Sequence, residues 1–115
     1  RQMMRIEKPW GYEDIWAKTN NYVGKILVIL PKQRMSLQYH EEKEETVYVM
    51  SGTLRVWSSK DESDYKDINV GGIYHVMPGT VHRFGNSSSD KITKLVEVST
   101  AQIEDIVRIS DDYGR

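Results

Sequence analysis

Residues 36–57 read SLQYHEEKEETVYVMSGTLRVW, and this stretch decides the fold class of the chain. It contains two runs of β-branched and aliphatic residues, separated by a Ser-Gly pair of the kind that forms turns. Just before these runs, Gln38, His40 and Glu45 follow one another in the order Gln-x-His-x4-Glu. Since side chains alternate between the two faces of a strand, Gln38 and His40 share one face. The stretch therefore predicts two strands, preceded by side chains of the kind that bind metal ions.

Short apolar runs separated by turn residues recur along the chain. We expect strands within residues 22–30, 46–57, 71–77 and 92–98, with a loop over the polar residues 58–67. Residues 102–109 fit either a short helix or a final strand, and no segment before Ala101 shows convincing helical periodicity. The pattern predicts an all-β sandwich or barrel, in one domain over residues 1–115.

Composition excludes several classes of protein. A net charge of -1 gives no electrostatic attraction to nucleic acid or to an anionic membrane. The chain has no apolar run of the roughly 20 residues that a membrane-spanning helix needs, and no signal-peptide pattern. It also has no cysteine, which fits a reducing compartment, and we expect a cytoplasmic protein.

A fourth candidate ligand, His82, follows a Pro-Gly turn. A lone histidine beside a turn is more often a surface residue, and a glutamate within an acidic run is usually only solvated. Together, however, two imidazoles, a carboxylate and an amide oxygen form a donor set for Zn²⁺, Mn²⁺, Co²⁺ or Fe²⁺. We therefore expect a divalent metal at Gln38, His40, Glu45 and His82.

The spacing of these residues resembles the paired motifs of the cupin superfamily, Gly-x5-His-x-His-x3-4-Glu-x6-Gly and Gly-x5-Pro-x-Gly-x2-His-x3-Asn. The first motif runs here from Lys32 to Gly52 and the second from Gly71 to Asn86, with every spacing kept. The residue types differ at Lys32, Gln38 and Met77. The resemblance implies a double-stranded β-helix, or jelly-roll barrel, whose metal ligands are the four residues named above.

A closer resemblance is to the cupin domain of type II mannose-6-phosphate isomerases (phosphomannose isomerases). The segments KPWGYE at 8–13, SLQYH at 36–40 and DIVR and DYGR near the end are similar to that family's signatures. The resemblance implies a metal-dependent isomerase of mannose 6-phosphate and fructose 6-phosphate. The candidate bases are His75 and Glu97, and Lys25, Arg83 and Arg115 are the candidate phosphate ligands. A sugar or sugar phosphate is thus the expected partner.

The chain differs from that family in its acidic run. Glu41 and Glu42 replace consecutive histidines, and Thr46-Val47 replaces a His-Trp pair. Carboxylates cannot donate to a phosphate, and each like-charge approach near 4 Å costs on the order of 1 to 4 kcal/mol. We expect this run to oppose a phosphorylated ligand.

Two other functions fit the same residues. Two histidines and one carboxylate with Fe²⁺ support oxygenase chemistry. A non-catalytic cupin that binds a metal and a saccharide is the other alternative.

The alternation along residues 46–57 also predicts a homodimer. Tyr48, Met50, Leu54 and Val56 fall outside the ligand-facing register, so we expect an exposed apolar sheet face. Soluble proteins seldom leave such a face uncovered beyond a few hundred Å².

Overall fold

The structure is a computed structural model that describes residues 3–115. This part of the chain forms eleven strands, whose apolar runs are mostly too short for a helix and rich in β-branched residues. The strands are β1 (Met4–Lys8), β2 (Gly11–Lys18), β3 (Val23–Ile29), β4 (Leu37–Tyr39), β5 (Glu45–Ser51), β6 (Leu54–Trp57), β7 (Tyr65–Ile68), β8 (Ile73–Val76), β9 (Arg83–Gly85), β10 (Thr93–Ser99) and β11 (Val107–Ser110). Within residues 3–115, no helix has the length and apolar character needed to cross a bilayer.

The strands form two facing layers. One layer is a six-stranded sheet in the order β1-β2-β3-β10-β5-β8. The other contains the sheets β11-β4 and β7-β6-β9, which single bridges join at Gln38–His82 and Arg34–Gly85. All strand pairs are antiparallel. This arrangement confirms the predicted all-β jelly-roll fold.

The core lies between the two layers and follows the two-residue period of the strands. On β5, Glu45, Val47 and Val49 point inward and are buried, whereas Tyr48 and Met50 are exposed, as predicted. Each fully buried aliphatic or aromatic side chain contributes roughly 1.5 to 3 kcal/mol. The core cluster includes Leu27, Ile29, Val47, Val49, Leu54, Val56, Val76, Phe84 and Leu95.

The predicted outward position of Leu54 and Val56 is wrong, because they are only 0% and 3% exposed. Strand β6 does not continue the alternation of β5, since the chain crosses into the opposite layer between them. The crossing uses Gly52 at φ +75, where an added Cβ would lie 2.4 Å from the carbonyl oxygen of Ile92. The inward face of β6 is therefore set by its new neighbours, and Leu54 and Val56 do not contribute to the exposed apolar face.

Two further segments differ from or refine the prediction. Part of the expected loop 58–67 belongs to strand β7, which pairs with β6 from Trp57 opposite Tyr65. Strand β7 is an edge strand with mostly exposed side chains, so its polar sequence does not prevent pairing. Within 102–109, a strand rather than a helix forms, because β11 pairs with β4.

Candidate metal centre and its cavity

His40, Glu45 and His82 converge inside the barrel. His40 follows β4, Glu45 opens β5, and His82 precedes β9, so three separate segments supply the cluster. All three side chains are buried, and their ligand atoms lie within 4.8 Å of one another. The distances from Glu45 Oε1 are 3.5 Å to His40 Nε2 and 3.3 Å to His82 Nε2. Such a cluster could hold a metal ion.

Hydrogen bonds of the two histidines test whether they fit a metal. His40 Nδ1 contacts the carbonyl oxygen of Asp105, and His82 Nδ1 contacts that of Thr80 at 3.0 Å. Because a carbonyl oxygen only accepts, each Nδ1 carries a proton, and in the neutral ring the lone pair is then on Nε2. Both Nε2 atoms are buried without a hydrogen-bond partner. A backbone carbonyl that fixes the tautomer of a metal-binding histidine is a common arrangement, so the residues fit a divalent ion.

Gln38 lies beside this cluster. Its backbone exchanges two hydrogen bonds with His82, at 3.0 and 2.9 Å, and its side chain lines the cavity. The hydroxyl of Ser36 donates to Gln38 Oε1 at 2.6 Å. An amide oxygen has a second lone pair, which stays available for a ligand.

The cluster opens into a cavity of about 260 Å³. Its wall combines apolar side chains, among them Trp10, Leu27 and Phe84, with several charged groups. A concave space of this kind, where apolar walls and polar groups converge, is where small ligands usually bind.

Lys43 is a charged residue beside the metal cluster, and the sequence analysis did not single it out. Its Nζ lies 3.1 Å from Glu45 Oε2 and 3.2 Å from Glu97 Oε2, with all three side chains buried. Burial lowers the pKa of Lys43, but Glu97 and Glu45 outweigh burial and raise it, so the ammonium stays charged. The sequence feature that could have identified Lys43 is its position two residues before Glu45, because this spacing places both side chains on one side of an extended chain.

The two carboxylates that share Lys43 differ in their acidity. Burial opposes the charged form of Glu45, yet hydrogen bonds from His40 and His82, when their Nε2 atoms carry a proton, and the charge of Lys43 hold its pKa well below the usual range. Burial and then the charge of Glu45 raise the pKa of Glu97 to about 7, against the lowering effects of both lysines nearby. Carboxylates with pKa values moved apart are typical of acid–base sites.

Lys25 lies on the same wall of the cavity as Glu97. The two residues are register partners on β3 and β10. Lys25 Nζ also lies 3.3 Å from Glu13 Oε1, and both of these side chains are buried. Lys25 thus lines the cavity as one member of an ion pair.

Arg115 also lines the cavity, and Arg108 and Lys8 join it there. Arg115 is held by two hydrogen bonds from its guanidinium to Asp111. Arg108 is opposite Gln38 in the β11–β4 pair. Neither Arg108 nor Lys8 was predicted, although both lie within the sequence signatures at 8–13 and at the end of the chain.

His75 and Arg83 do not reach the cavity. His75 faces outward on β8, and its Nε2 lies 2.6 Å from Glu44 Oε2 in a half-exposed pair. Arg83 follows the inward-facing His82 directly, so it points to the other side of the strand, where it donates to the carbonyl oxygen of Ser110 at 2.9 Å. Burial lowers the pKa of this guanidinium. The expectation that His75 and Arg83 act in the cavity is therefore wrong, because neither residue lines it.

The acidic run does not face the cavity either. Glu41 and Glu42 are exposed, and Glu44 pairs with His75 on the outer surface. None of these three carboxylates lines the cavity, so the structure does not support the expected close repulsion of a phosphate by them.

Comparison with known proteins assigns this arrangement to a family. Residues 1–111 match the family model described as Mannose-6-phosphate isomerase C-terminal. The mannose-1-phosphate guanylyltransferase RfbM of Salmonella typhimurium is 26% identical over 99% of this chain and 24% of its own length. The alginate biosynthesis protein AlgA of Pseudomonas aeruginosa is 28% identical over 96% of this chain and 23% of its own. The chain thus spans about a quarter of the length of these curated relatives.

Among solved structures, a Klebsiella pneumoniae protein with a double-stranded β-helix domain superimposes with a TM-score of 0.72. It is 20% identical, and the match covers 93% of this chain and 84% of that one. At this identity the likeness concerns the fold alone, and it agrees with the jelly roll described above.

Proposed function

Since this chain belongs to the Mannose-6-phosphate isomerase C-terminal family, a family of cupin domains, we propose that it is a metal-dependent aldose–ketose isomerase. The proposed substrates are hexose 6-phosphates, with mannose 6-phosphate and fructose 6-phosphate as the leading pair. The names of the relatives, a mannose-1-phosphate guanylyltransferase and an alginate biosynthesis protein, support a substrate drawn from sugar-phosphate metabolism.

One observation carries the proposal. Two buried, unpartnered imidazole nitrogens face one oxygen of Glu45, and the same cavity holds a second carboxylate, Glu97, on the other side of Lys43. A donor set for a metal and a separate acid–base group are the two components that a sugar isomerase of this kind requires.

His40, His82 and Glu45 are the residues that would hold the ion, with Gln38 as the fourth donor. When bound, a divalent ion supplies Lewis-acid stabilisation of negative charge on the substrate's oxygen atoms and a template for their orientation. Together with His40 and His82, the charge of Lys43 favours the ionised form of Glu45, which the donor set needs.

Glu97 is the proposed catalytic base. Isomerisation removes a proton from the hydroxyl-bearing carbon next to the carbonyl and returns one proton to the former carbonyl carbon. A second proton moves from the hydroxyl oxygen, which becomes the new carbonyl oxygen, to the former carbonyl oxygen. Atoms and electrons therefore balance without an oxidant. A buried carboxylate with a pKa near neutrality can both accept and return such a proton. The charge of Lys43 stabilises its ionised form before the transfer.

Arg115, Arg108 and Lys8 are the proposed phosphate ligands. All three line the cavity, and guanidinium groups pair well with phosphate oxygens. Lys25 is buried, paired with Glu13 and opposite Glu97, so we assign it to a sugar hydroxyl near the proposed base rather than to the phosphate.

The three-residue cluster also supports the second candidate, an Fe²⁺-dependent oxygenase. Two histidines and one carboxylate are the ligands of that class. The buried lysines and Glu97 around the cavity favour a charged, hydroxylated ligand and proton transfer instead. Uptake of oxygen in the presence of Fe²⁺ distinguishes the two reactions.

A coupled assay of mannose 6-phosphate and fructose 6-phosphate, with Zn²⁺, Mn²⁺, Co²⁺ and Fe²⁺ supplied in turn, tests the proposal. We expect turnover with at least one ion, and a loss of about 100-fold or more in kcat for Glu97→Gln. Glu7→Gln, which changes an exposed glutamate outside the cavity, is the matched control. If no ion gives turnover and neither sugar phosphate protects the fold in thermal melts, the isomerase proposal fails. Metal binding without turnover would then favour the non-catalytic saccharide-binding alternative.

A further inference from the structure

The loop that carries His40 is held by one side chain from a distant part of the sequence. The carboxylate of Asp105 accepts the backbone N–H groups of Glu41, Glu42 and Lys43, at 3.0, 2.7 and 2.9 Å. These residues lie between two ligands of the metal cluster, and within the described structure they belong to no strand. The three hydrogen bonds hold the pKa of Asp105 below its usual value, so the side chain is ionised.

The main chain of the same residue contacts the metal cluster. The carbonyl oxygen of Asp105 accepts the proton of His40 Nδ1. Asp105 thus orders the loop with its side chain and fixes the tautomer of the ligand with its backbone.

The segment around Asp105 has few other attachments. Residues 103–106 form part of the cavity wall before β11 begins at Val107. The next contact between this part of the chain and the 41–44 loop is at Thr100. Its hydroxyl accepts the N–H of Glu44 at 3.0 Å, and its own N–H donates to the carbonyl oxygen of Glu44. The position of the Asp105 carbonyl therefore depends on the anchoring of the Asp105 carboxylate.

We propose that Asp105 is a positioning residue for the metal centre and acts through His40. Its carboxylate accepts the N–H groups of the 41–43 loop, and its carbonyl oxygen holds the imidazole with Nε2 directed at the ion. The proposal rests on the metal site of the proposed function and not on the substrate or the reaction. Asp105 also joins the cavity wall to the 41–43 loop, so a change in the position of one changes the position of the other.

Asparagine at this position cannot replace the carboxylate. One of its two terminal atoms is an NH₂ group, which would face a backbone N–H donor instead of accepting from it. Loss of outer partners of metal-binding histidines weakens affinity by about 10- to 100-fold.

The test compares Asp105→Asn and Asp105→Ala with the unaltered protein by titration with Co²⁺. Affinity is measured by competition with a chelator, and coordination by the visible spectrum of the bound ion. Asp61→Ala is the matched control, since Asp61 likewise accepts a backbone N–H, that of Ser63 at 3.0 Å, but lies away from the cavity. We expect both Asp105 variants to lose about 10- to 100-fold in Co²⁺ affinity and to show an altered spectrum. Asp61→Ala should change neither.

A second measurement needs neither a variant nor a metal. Nitrogen-15 chemical shifts of His40 in the metal-free protein, recorded in solution alkaline enough that the ring holds a single proton, report which ring nitrogen carries that proton. We expect the Nδ1–H tautomer. An Nε2–H tautomer of His40, or an affinity and spectrum unchanged in both Asp105 variants, would overturn the proposal. Since neither experiment involves a sugar, failure of the isomerase assay alone leaves this inference standing.

Discussion

Lys43 and Glu97 form an ion pair within the cavity, with 3.2 Å between Lys43 Nζ and Glu97 Oε2. The ammonium group also lies 3.1 Å from Glu45 Oε2, so one buried cation balances two buried carboxylates. A buried charge is tolerated only when it is paired, which makes Lys43 the residue on which the charge balance of the site depends.

Replacing Lys43 by methionine should destabilise the metal-free protein strongly. The variant keeps most of the side-chain volume but leaves two buried carboxylates without their cation, at a cost of about 3 to 5 kcal/mol. Urea unfolding in the presence of a chelator measures the loss. Lys60→Met removes an exposed lysine and is the control. Equal effects of the two substitutions would refute the assigned role of Lys43.

The tail of the chain should stabilise the fold in a pH-dependent way through Asp112. Both oxygens of Asp112 accept from Arg34, at 2.6 and 3.0 Å, and these hydrogen bonds lower the pKa of Asp112. A carboxyl whose folded pKa lies below its unfolded value stabilises the fold above that value, here 3.8, and loses its contribution as the pH falls through the folded pKa. Asp112→Asn should therefore be less stable at neutral pH, by about 0.5 to 1 kcal/mol for this solvent-exposed pair.

The same variant should match the unaltered protein in strongly acidic solution. Denaturant unfolding across the pH range tests this convergence. A difference in the free energy of unfolding that stays constant from neutral to acidic pH would show that the ion pair is not its source.

We also expect a homodimer, formed through the outer face of the six-stranded sheet. Tyr48, Ile73 and Val98 lie on that face and are 46%, 65% and 52% exposed. Tyr48→Lys combined with Ile73→Lys should give a monomer, because like charges would be brought together across the twofold axis. Light scattering at micromolar concentration should show twice 13.4 kDa for the unaltered protein and 13.4 kDa for the variant. Tyr65→Lys changes an exposed tyrosine of the other layer and should leave the dimer intact. A monomeric mass for the unaltered protein contradicts the expectation.

Loss of a cavity arginine should affect phosphorylated substrates selectively. Arg115→Ala and Arg108→Ala should each raise the KM for a sugar phosphate about 10-fold more than for its unphosphorylated analogue, since a charge-assisted hydrogen bond is lost only with the phosphate. Arg55→Ala serves as the control, because Arg55 pairs with Asp67 away from the cavity. A uniform rise in KM for both ligands would remove these arginines from the phosphate site.

The local rules of strand geometry account for the part of the site that the sequence predicts. Gln38 lies within β4, His40 directly follows it and Glu45 opens β5, so the two-residue period of extended chain fixes the direction of each side chain. The same rule would have placed Arg83 outside the barrel, since its neighbour His82 points inward. Resemblance to a family supplied the wrong expectation there.

The remaining features depend on contacts between distant segments. The outward facing of His75 follows from its pairing opposite Thr46, and the burial of Leu54 from the crossing of the chain into the other layer. The position of Lys43 depends on its contact with Glu97, which is far along the sequence. Neither periodicity nor composition contains that information.

The central claim is a metal centre built from two of the chain's three histidines, and metal titration of histidine variants tests it most directly. His40→Ala, His82→Ala and His75→Ala are compared with the unaltered protein, by calorimetry with Zn²⁺ and by metal analysis after dialysis. His75 is the internal control, because it faces outward and pairs with Glu44. We predict one tightly bound ion per chain in the unaltered protein and in His75→Ala, and loss of most of it in the other two. Full metal content in a variant lacking both His40 and His82, or no bound ion in the unaltered protein, would contradict the account.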